Sequence, residues 1–158
     1  MEKFKKYLEN PCKHMEIALT DNSYKKVYQK ENSCKYDKEV NTQLATFGDA
    51  ILKVALCEIL YESKEEKITE KKKEYESDKV LVEKIGAYYD ILKYLKYDKS
   101  DEKKPKNYNY TKNHKYIATA VEACIGAIYL DNKKSNSKVK NIVKSWKKYI
   151  DKNNNGGD

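Results

Sequence analysis

Residues 117–131 read IATAVEACIGAIYLD, and this stretch decides the fold class. Apolar residues recur in it at intervals of three and four, which is the spacing of one face of an α-helix. These residues are Ile117, Ala120, Val121, Cys124, Ile125, Ile128 and Tyr129. The pattern predicts a buried helix that ends near Asp131 and Asn132.

The same helical period occurs elsewhere in the chain. It is strongest where Leu44, Phe47, Ile51, Val54, Ala55, Ile59 and Leu60 are predicted to form one apolar face. Further helices are predicted at 15–19, 24–28, 80–95 and 139–150. The chain has only 5 glycines and 2 prolines, so it offers few turns for a many-stranded β fold. The expected fold class is therefore all-α.

The domain organisation is simple. Residues 1–150 are predicted to form one domain and residues 151–158, rich in Asn and Gly, a disordered tail. The polar stretch 97–115 has no helical period and is predicted to be a long loop. Cys57 and Cys124 lie in apolar segments and are interpreted as small core residues.

Charge and composition narrow the class of protein. The chain of 158 residues carries 33 basic and 25 acidic side chains, a formal charge of +8, and contains no arginine. A basic excess of this size favours a polyanionic partner such as nucleic acid. No apolar run is long enough to cross a membrane, and the charged N-terminus does not resemble a secretory signal. Four widely spaced cysteines without a metal-binding pattern indicate an intracellular protein, cytoplasmic by default.

Three segments, in order along the chain, resemble motifs of the ribonuclease III catalytic domain. ALTDNSY at 18–24 is similar to ALTHxSY in that family, and NTQLATFGDAIL at 41–52 to NERLEFLGDAVL. ATAVEACIGAIYLD at 118–131 is similar to ADxFEAxIGAxYLD, and 68–81 fits the helices between the last two motifs. The match extends over roughly 13–150.

The resemblance implies an all-helical ribonuclease III endonuclease domain that forms a symmetric homodimer and binds double-stranded RNA. In active members, acidic side chains on two helices hold divalent ions, Mg²⁺ or alternatively Mn²⁺, which promote hydrolysis of a phosphodiester. No small-molecule cofactor and no membrane partner are expected. The lysine-rich composition agrees with a ligand that is met through its phosphates.

The resemblance also identifies candidate catalytic and metal-binding residues. Asp49 and Glu122 match two of the four metal-binding acids of the family, while the other two positions hold Ala45 and Thr119. Mg²⁺ often needs only one or two protein carboxylates besides substrate phosphates, so one ion on Asp49 and Glu122 is compatible with the sequence. A structural alternative exists for Asp49, because Lys53 lies four residues later and is able to form an ion pair with it.

Other polar residues carry weaker signals. Asn41 is the first residue of the second motif and matches the asparagine of the family at that position, where it is interpreted either as a helix cap or as a functional residue. His14 and His114 stand apart from any cysteine or serine arrangement and are interpreted as surface residues.

The sequence is compatible with three functions. The first is a metal-dependent endoribonuclease acting on double-stranded RNA, with Asp49 and Glu122 in its site. The second is a non-catalytic protein of the same fold that binds structured RNA or a ribonucleoprotein. The third is a scaffold partner of an active paralogue. The retained acids favour the first, and the replaced acids favour the other two.

Overall fold

The computed structural model describes residues 1–102 and 114–154. Within these ranges the regular structure is helical, no strand forms, and Thr20 and Lys96 make an isolated bridge. The α-helices are α1 (Glu2–Glu9), α2 (Lys13–Ala18), α3 (Tyr24–Asn32), α4 (Asn41–Glu62), α5 (Ile68–Tyr75), α6 (Asp78–Val80), α7 (Ala87–Tyr89), α8 (Lys115–Asp131) and α9 (Asn136–Asn154). A π-helix (Leu81–Gly86) joins α6 to α7, and short 3₁₀ helices follow at Ile91–Lys93 and Lys99–Glu102. The prediction of an all-α fold is confirmed.

Helices α4 and α8 form the centre of the molecule and make its most extensive helix–helix contact. Most of α8 is buried, as its apolar sequence predicts, and α2, α9 and the π-helix pack around it. The buried face of α4 consists of Asn41, Leu44, Ala45, Gly48, Leu52, Ala55, Leu56, Ile59 and Leu60. The first half of this face therefore points at the middle of α8.

Two glycines bring α4 and α8 into close contact. A β-carbon on Gly48 would lie 1.9 Å from the carbonyl oxygen of Glu122, and one on Gly126 would lie 2.8 Å from that of Leu44. Real β-carbons do not approach a backbone oxygen so closely, so any larger residue forces the helices apart. Both glycines are therefore packing residues at the crossing of α4 and α8.

The single helix predicted over 80–95 is wrong. The helix is continuous only as far as Tyr89, partly as a π-helix, and Asp90 then adopts a left-handed conformation with φ of 50° before the short 3₁₀ helix at Ile91–Lys93. A left-handed residue ends a helix because it reverses the direction of the next peptide. The apolar period continues past this break because Ile91 and Leu95 still reach the core.

Part of the predicted apolar face of α4 is exposed. Phe47 and Val54 expose 39% and 50% of their surface, and Cys57 is also exposed, whereas Cys124 is fully buried. The core interpretation is therefore confirmed for Cys124 and wrong for Cys57. Helix α4 carries two apolar faces on opposite sides, and one sequence pattern contains both of them.

The end of the chain differs slightly from expectation. Helix α9 continues to Asn154, four residues past the predicted domain boundary at 150, and 155–158 lie outside the described residues. Of the predicted loop at 97–115, residues 103–113 likewise lie outside them. Among the described helices, none combines the length and the apolar character required to span a bilayer.

Candidate functional site

Asp49 and Glu122 line the same open cavity, although they lie 73 positions apart in the sequence. The cavity has a volume of about 450 Å³ and lies between α4, α8 and the segment that joins α5 to α6. Its lining consists of Thr42, Ala45, Thr46, Asp49, Lys53, Glu76, Asp78, Lys115, Thr119 and Glu122. The structure therefore brings together both predicted site residues.

Packing of the helices sets the position of the two acids. Gly48 immediately precedes Asp49, and Gly48 is the residue that touches the backbone of Glu122. Each acid thus projects from a helix at the point where α4 and α8 approach most closely. The spacing between the two backbones is fixed by this contact and does not depend on a bound ion.

The Glu122 carboxylate is electrostatically unsatisfied. Burial, followed by the negative charges of Asp49 and Asp78, raises the pKa of Glu122 to about 7. Lys53 and Lys115 oppose this shift in pKa only in part. Within the part of the chain that the structure describes, the carboxylate makes no hydrogen bond or ion pair. A half-buried carboxylate in this state requires either a proton or a cation.

Asp49 has a cation partner. The ammonium nitrogen Nζ of Lys53 lies 2.6 Å from Oδ2 of Asp49, and this contact raises the pKa of Lys53. The ion pair that the sequence offered as a structural alternative is therefore formed. The two acids of the site differ, because one is neutralised by the protein and the other is not.

The two replaced positions supply no ligand. Ala45 is buried and apolar, and the hydroxyl of Thr119 donates to the carbonyl oxygen of Lys115 at 3.3 Å. Across residues 1–102 and 114–154, no three Asp, Glu, His or Cys side chains lie close enough together to hold an ion. The residues therefore fit one divalent ion on Asp49 and Glu122, completed by water or phosphate, but they do not fit a four-carboxylate centre.

Sequence reasoning missed two acids and one lysine of the cavity. Glu76 and Asp78 flank Ser77, whose hydroxyl accepts a hydrogen bond from the backbone N–H of Val80 and caps α6. Each of these acids forms an ion pair with a lysine. Nζ of Lys72 lies 2.9 Å from Oε1 of Glu76, and Nζ of Lys115 lies 3.4 Å from Oδ2 of Asp78. A helix start rich in acids was visible in the sequence, but only the tertiary fold places it opposite Glu122.

The remaining polar candidates lie elsewhere. His14 contacts Asp131 at 2.5 Å and lines a different cavity, while His114 is buried, so the surface interpretation of His114 is wrong. Asn41 is buried at the start of α4, and its side chain donates to the carbonyl oxygen of Ala18 at 3.4 Å. It joins α4 to α2 and does not act as a helix cap.

Comparison with known proteins identifies the family. The model of the ribonuclease III domain matches residues 42–133, which covers more than half of the chain and includes both acids of the cavity. This chain belongs to the ribonuclease III family. Membership places it among ribonuclease-type hydrolases, a family that generally depends on divalent metal ions.

Solved structures agree with the family at the level of the fold. Two solved structures of the nuclease domain of ribonuclease III from Campylobacter jejuni are similar to this chain, with TM-scores of 0.65 and 0.64. Their sequences are 20% and 19% identical to this ribonuclease III-family chain. Each comparison covers 92% of this chain, together with 94% and 92% of the other. The ribonuclease III fold therefore extends over nearly the whole chain.

Proposed function

We propose that this chain is an endoribonuclease that hydrolyses phosphodiesters of double-stranded RNA with the help of a divalent metal ion. The observation that carries the proposal is the cavity that joins Asp49 to Glu122, in which the Glu122 carboxylate has no cation partner among the described residues. A cavity that holds unbalanced negative charge and opens to solvent is suited to bind Mg²⁺ or Mn²⁺.

Each group of the cavity has a role in this proposal. Asp49 and Glu122 would hold the ion, which supplies a nucleophilic hydroxide and neutralises charge on the phosphate. Lys115, whose side chain is 71% exposed, lies at the rim, where it is able to contact a backbone phosphate. Duplex RNA presents phosphates and 2′-hydroxyls to such a surface, which agrees with recognition by shape.

Pairing of two copies is part of the proposal. Phe47, Val54 and Tyr61 follow one another at intervals of seven on α4, and they expose 39%, 50% and 78% of their surface. Residues at this interval share one helix face, and an exposed apolar face of this kind marks an interaction surface. A symmetric dimer covers the same face on both copies. One Campylobacter jejuni structure is described as flexible in a region involved in dimer formation, which by analogy supports pairing of two copies here.

An intracellular location completes the proposal. All four cysteines are unpaired, and three of them are exposed. Exposed free thiols fit a reducing compartment better than an oxidising one.

A non-catalytic role in binding structured RNA is the second candidate, and a specific contact favours it. Lys53 already neutralises Asp49, and two acids of the family are absent at Ala45 and Thr119. In this role the basic chain would bind RNA without cleaving it, alone or as the scaffold partner of an active paralogue.

Cleavage of a labelled RNA duplex distinguishes these functions. The full chain is incubated with Mg²⁺ or Mn²⁺ beside a Glu122→Ala variant and a Glu31→Ala control, which removes an exposed acid on α3. Metal-dependent cleavage that disappears only in Glu122→Ala supports the endonuclease. Duplex binding without cleavage, equal in all three proteins, overturns it in favour of the binding role.

A further inference from the structure

The cavity contains fixed positive charge as well as acids. Asp49, Glu76, Asp78 and Glu122 supply four carboxylates to its lining, and Lys53 and Lys115 supply two ammonium groups. The two lysines therefore cancel part of the negative charge that the four carboxylates give to the cavity lining.

Lys53 is the more firmly placed of the two lysines. Its Nζ lies 2.6 Å from Asp49 Oδ2, and its side chain is 43% exposed. Lys115 pairs with Asp78 over a longer distance, 3.4 Å, and 71% of its side chain is exposed. A short contact with a less exposed side chain holds the Lys53 ammonium beside the acid that is expected to bind metal.

The surroundings of Lys53 extend beyond Asp49. Glu76 and Glu122 line the same cavity as Lys53. The Lys53 ammonium therefore shares the cavity with three acids, which are Asp49 on α4, Glu122 on α8 and Glu76 immediately after α5.

We propose that the Lys53 ammonium takes the place of a second divalent ion in this site, so that the cavity accepts one divalent cation together with an RNA phosphate. The inference rests on the proposed function, because it assumes that Asp49 and Glu122 bind a metal ion. Lys53 acts through Asp49 as a positioning residue, and its fixed charge opposes the entry of a further cation.

This assignment has two measurable consequences. Removal of the Lys53 charge frees Asp49 and takes away a repulsive charge, so divalent ions bind more tightly. Retention of the charge in a different side chain preserves the weak binding of a single ion. Both effects concern metal affinity and are independent of turnover.

The test is a titration of the metal-free full chain with Mn²⁺. Electron paramagnetic resonance measures the concentration of free Mn²⁺ at each step. Lys53→Met is compared with Lys53→Arg and with Lys147→Met. Lys147 is a matched control because it forms an i,i+4 pair with Asp151 at 2.7 Å on α9, away from the cavity. We expect about tenfold tighter binding, or a second bound ion, in Lys53→Met alone. Thermal unfolding of each variant verifies that it is folded.

The outcomes separate this inference from the proposed function. If Mn²⁺ binds to the wild type and is lost in Glu122→Gln, but Lys53→Met binds it as the wild type does, the inference is refuted and the metal site stands. If neither the wild type nor Lys53→Met binds Mn²⁺, both are refuted. Tighter binding in Lys53→Met and unchanged binding in Lys53→Arg support the inference.

Discussion

Replacing Glu122 with glutamine is expected to stabilise the protein in a pH-dependent manner when metal is absent. The folded state raises the pKa of Glu122 from 4.5 to about 7, first through burial and then through Asp49 and Asp78. The folded chain therefore holds a proton that the unfolded chain has already lost. Below pH 4.5, Glu122 is protonated in both states and does not lower the free energy of unfolding. The loss in free energy of unfolding grows as the pH rises from 4.5 to 7, and it is complete above pH 7.

The loss in free energy of unfolding is calculated from the shift in the pKa of Glu122. One pKa unit corresponds to about 1.4 kcal/mol, so the full shift sets a ceiling of about 3 kcal/mol. Glu122 is only partly buried, and screening by water reduces the expected cost to about 1–2 kcal/mol. Glutamine has nearly the same shape and carries no charge, so Glu122→Gln removes this cost and leaves the packing intact.

Urea denaturation with a chelator present measures the effect. The free energy of unfolding of Glu122→Gln should exceed that of the wild type by about 1–2 kcal/mol near pH 8 and by much less near pH 4.5. Glu31→Gln, on the exposed surface of α3, is the control and should show no such pH dependence. An equal difference between Glu122→Gln and the wild type at both pH values would refute the electrostatic account of the cavity.

Three further predictions concern packing, assembly and the lost acids. Gly48→Ala should lower the free energy of unfolding by about 3 kcal/mol or more in urea denaturation, because its β-carbon would lie 1.9 Å from a backbone oxygen of α8; a smaller loss would show that the helices separate easily. The wild type should sediment as a dimer with twice the chain mass of 18.5 kDa, and Val54→Asp should sediment as a monomer because it places a charge on the proposed dimer face. Tyr88→Asp, at an exposed site outside α4, should remain a dimer. A wild-type monomer would exclude the dimer. Ala45→Glu combined with Thr119→Asp should increase Mn²⁺ affinity and cleavage, since both positions line the cavity; unchanged affinity would show that these positions do not reach the ion.

The central helices were predictable from the sequence because burial imposes a clear period on them. In α8 nearly every residue on the inner side is apolar, so pattern and structure agree. In α4 the same period includes Phe47 and Val54, which are exposed. A sequence pattern records that a residue is apolar, but it does not record whether the neighbour that covers it belongs to the same chain.

The candidate site was only half predictable. Asp49 and Glu122 were recognisable because each lies in a motif of its own. Glu76, Asp78 and Lys115 belong to segments whose position relative to α4 depends on the whole chain path. The helix break at Asp90 was not predictable from the sequence either. Aspartate tolerates a left-handed backbone, and the period of apolar residues over 80–95 does not change at this position.

The glycine crossing of α4 and α8 has a consequence for how such a chain diverges. The contact of Gly48 with the backbone of Glu122 involves no carboxylate, so the frame persists whichever side chains face the cavity. Acids are therefore exchangeable one at a time, as at Ala45 and Thr119, without loss of the architecture. Single substitutions in the cavity lining are therefore able to change its chemistry, while the helix packing that positions the lining residues stays the same.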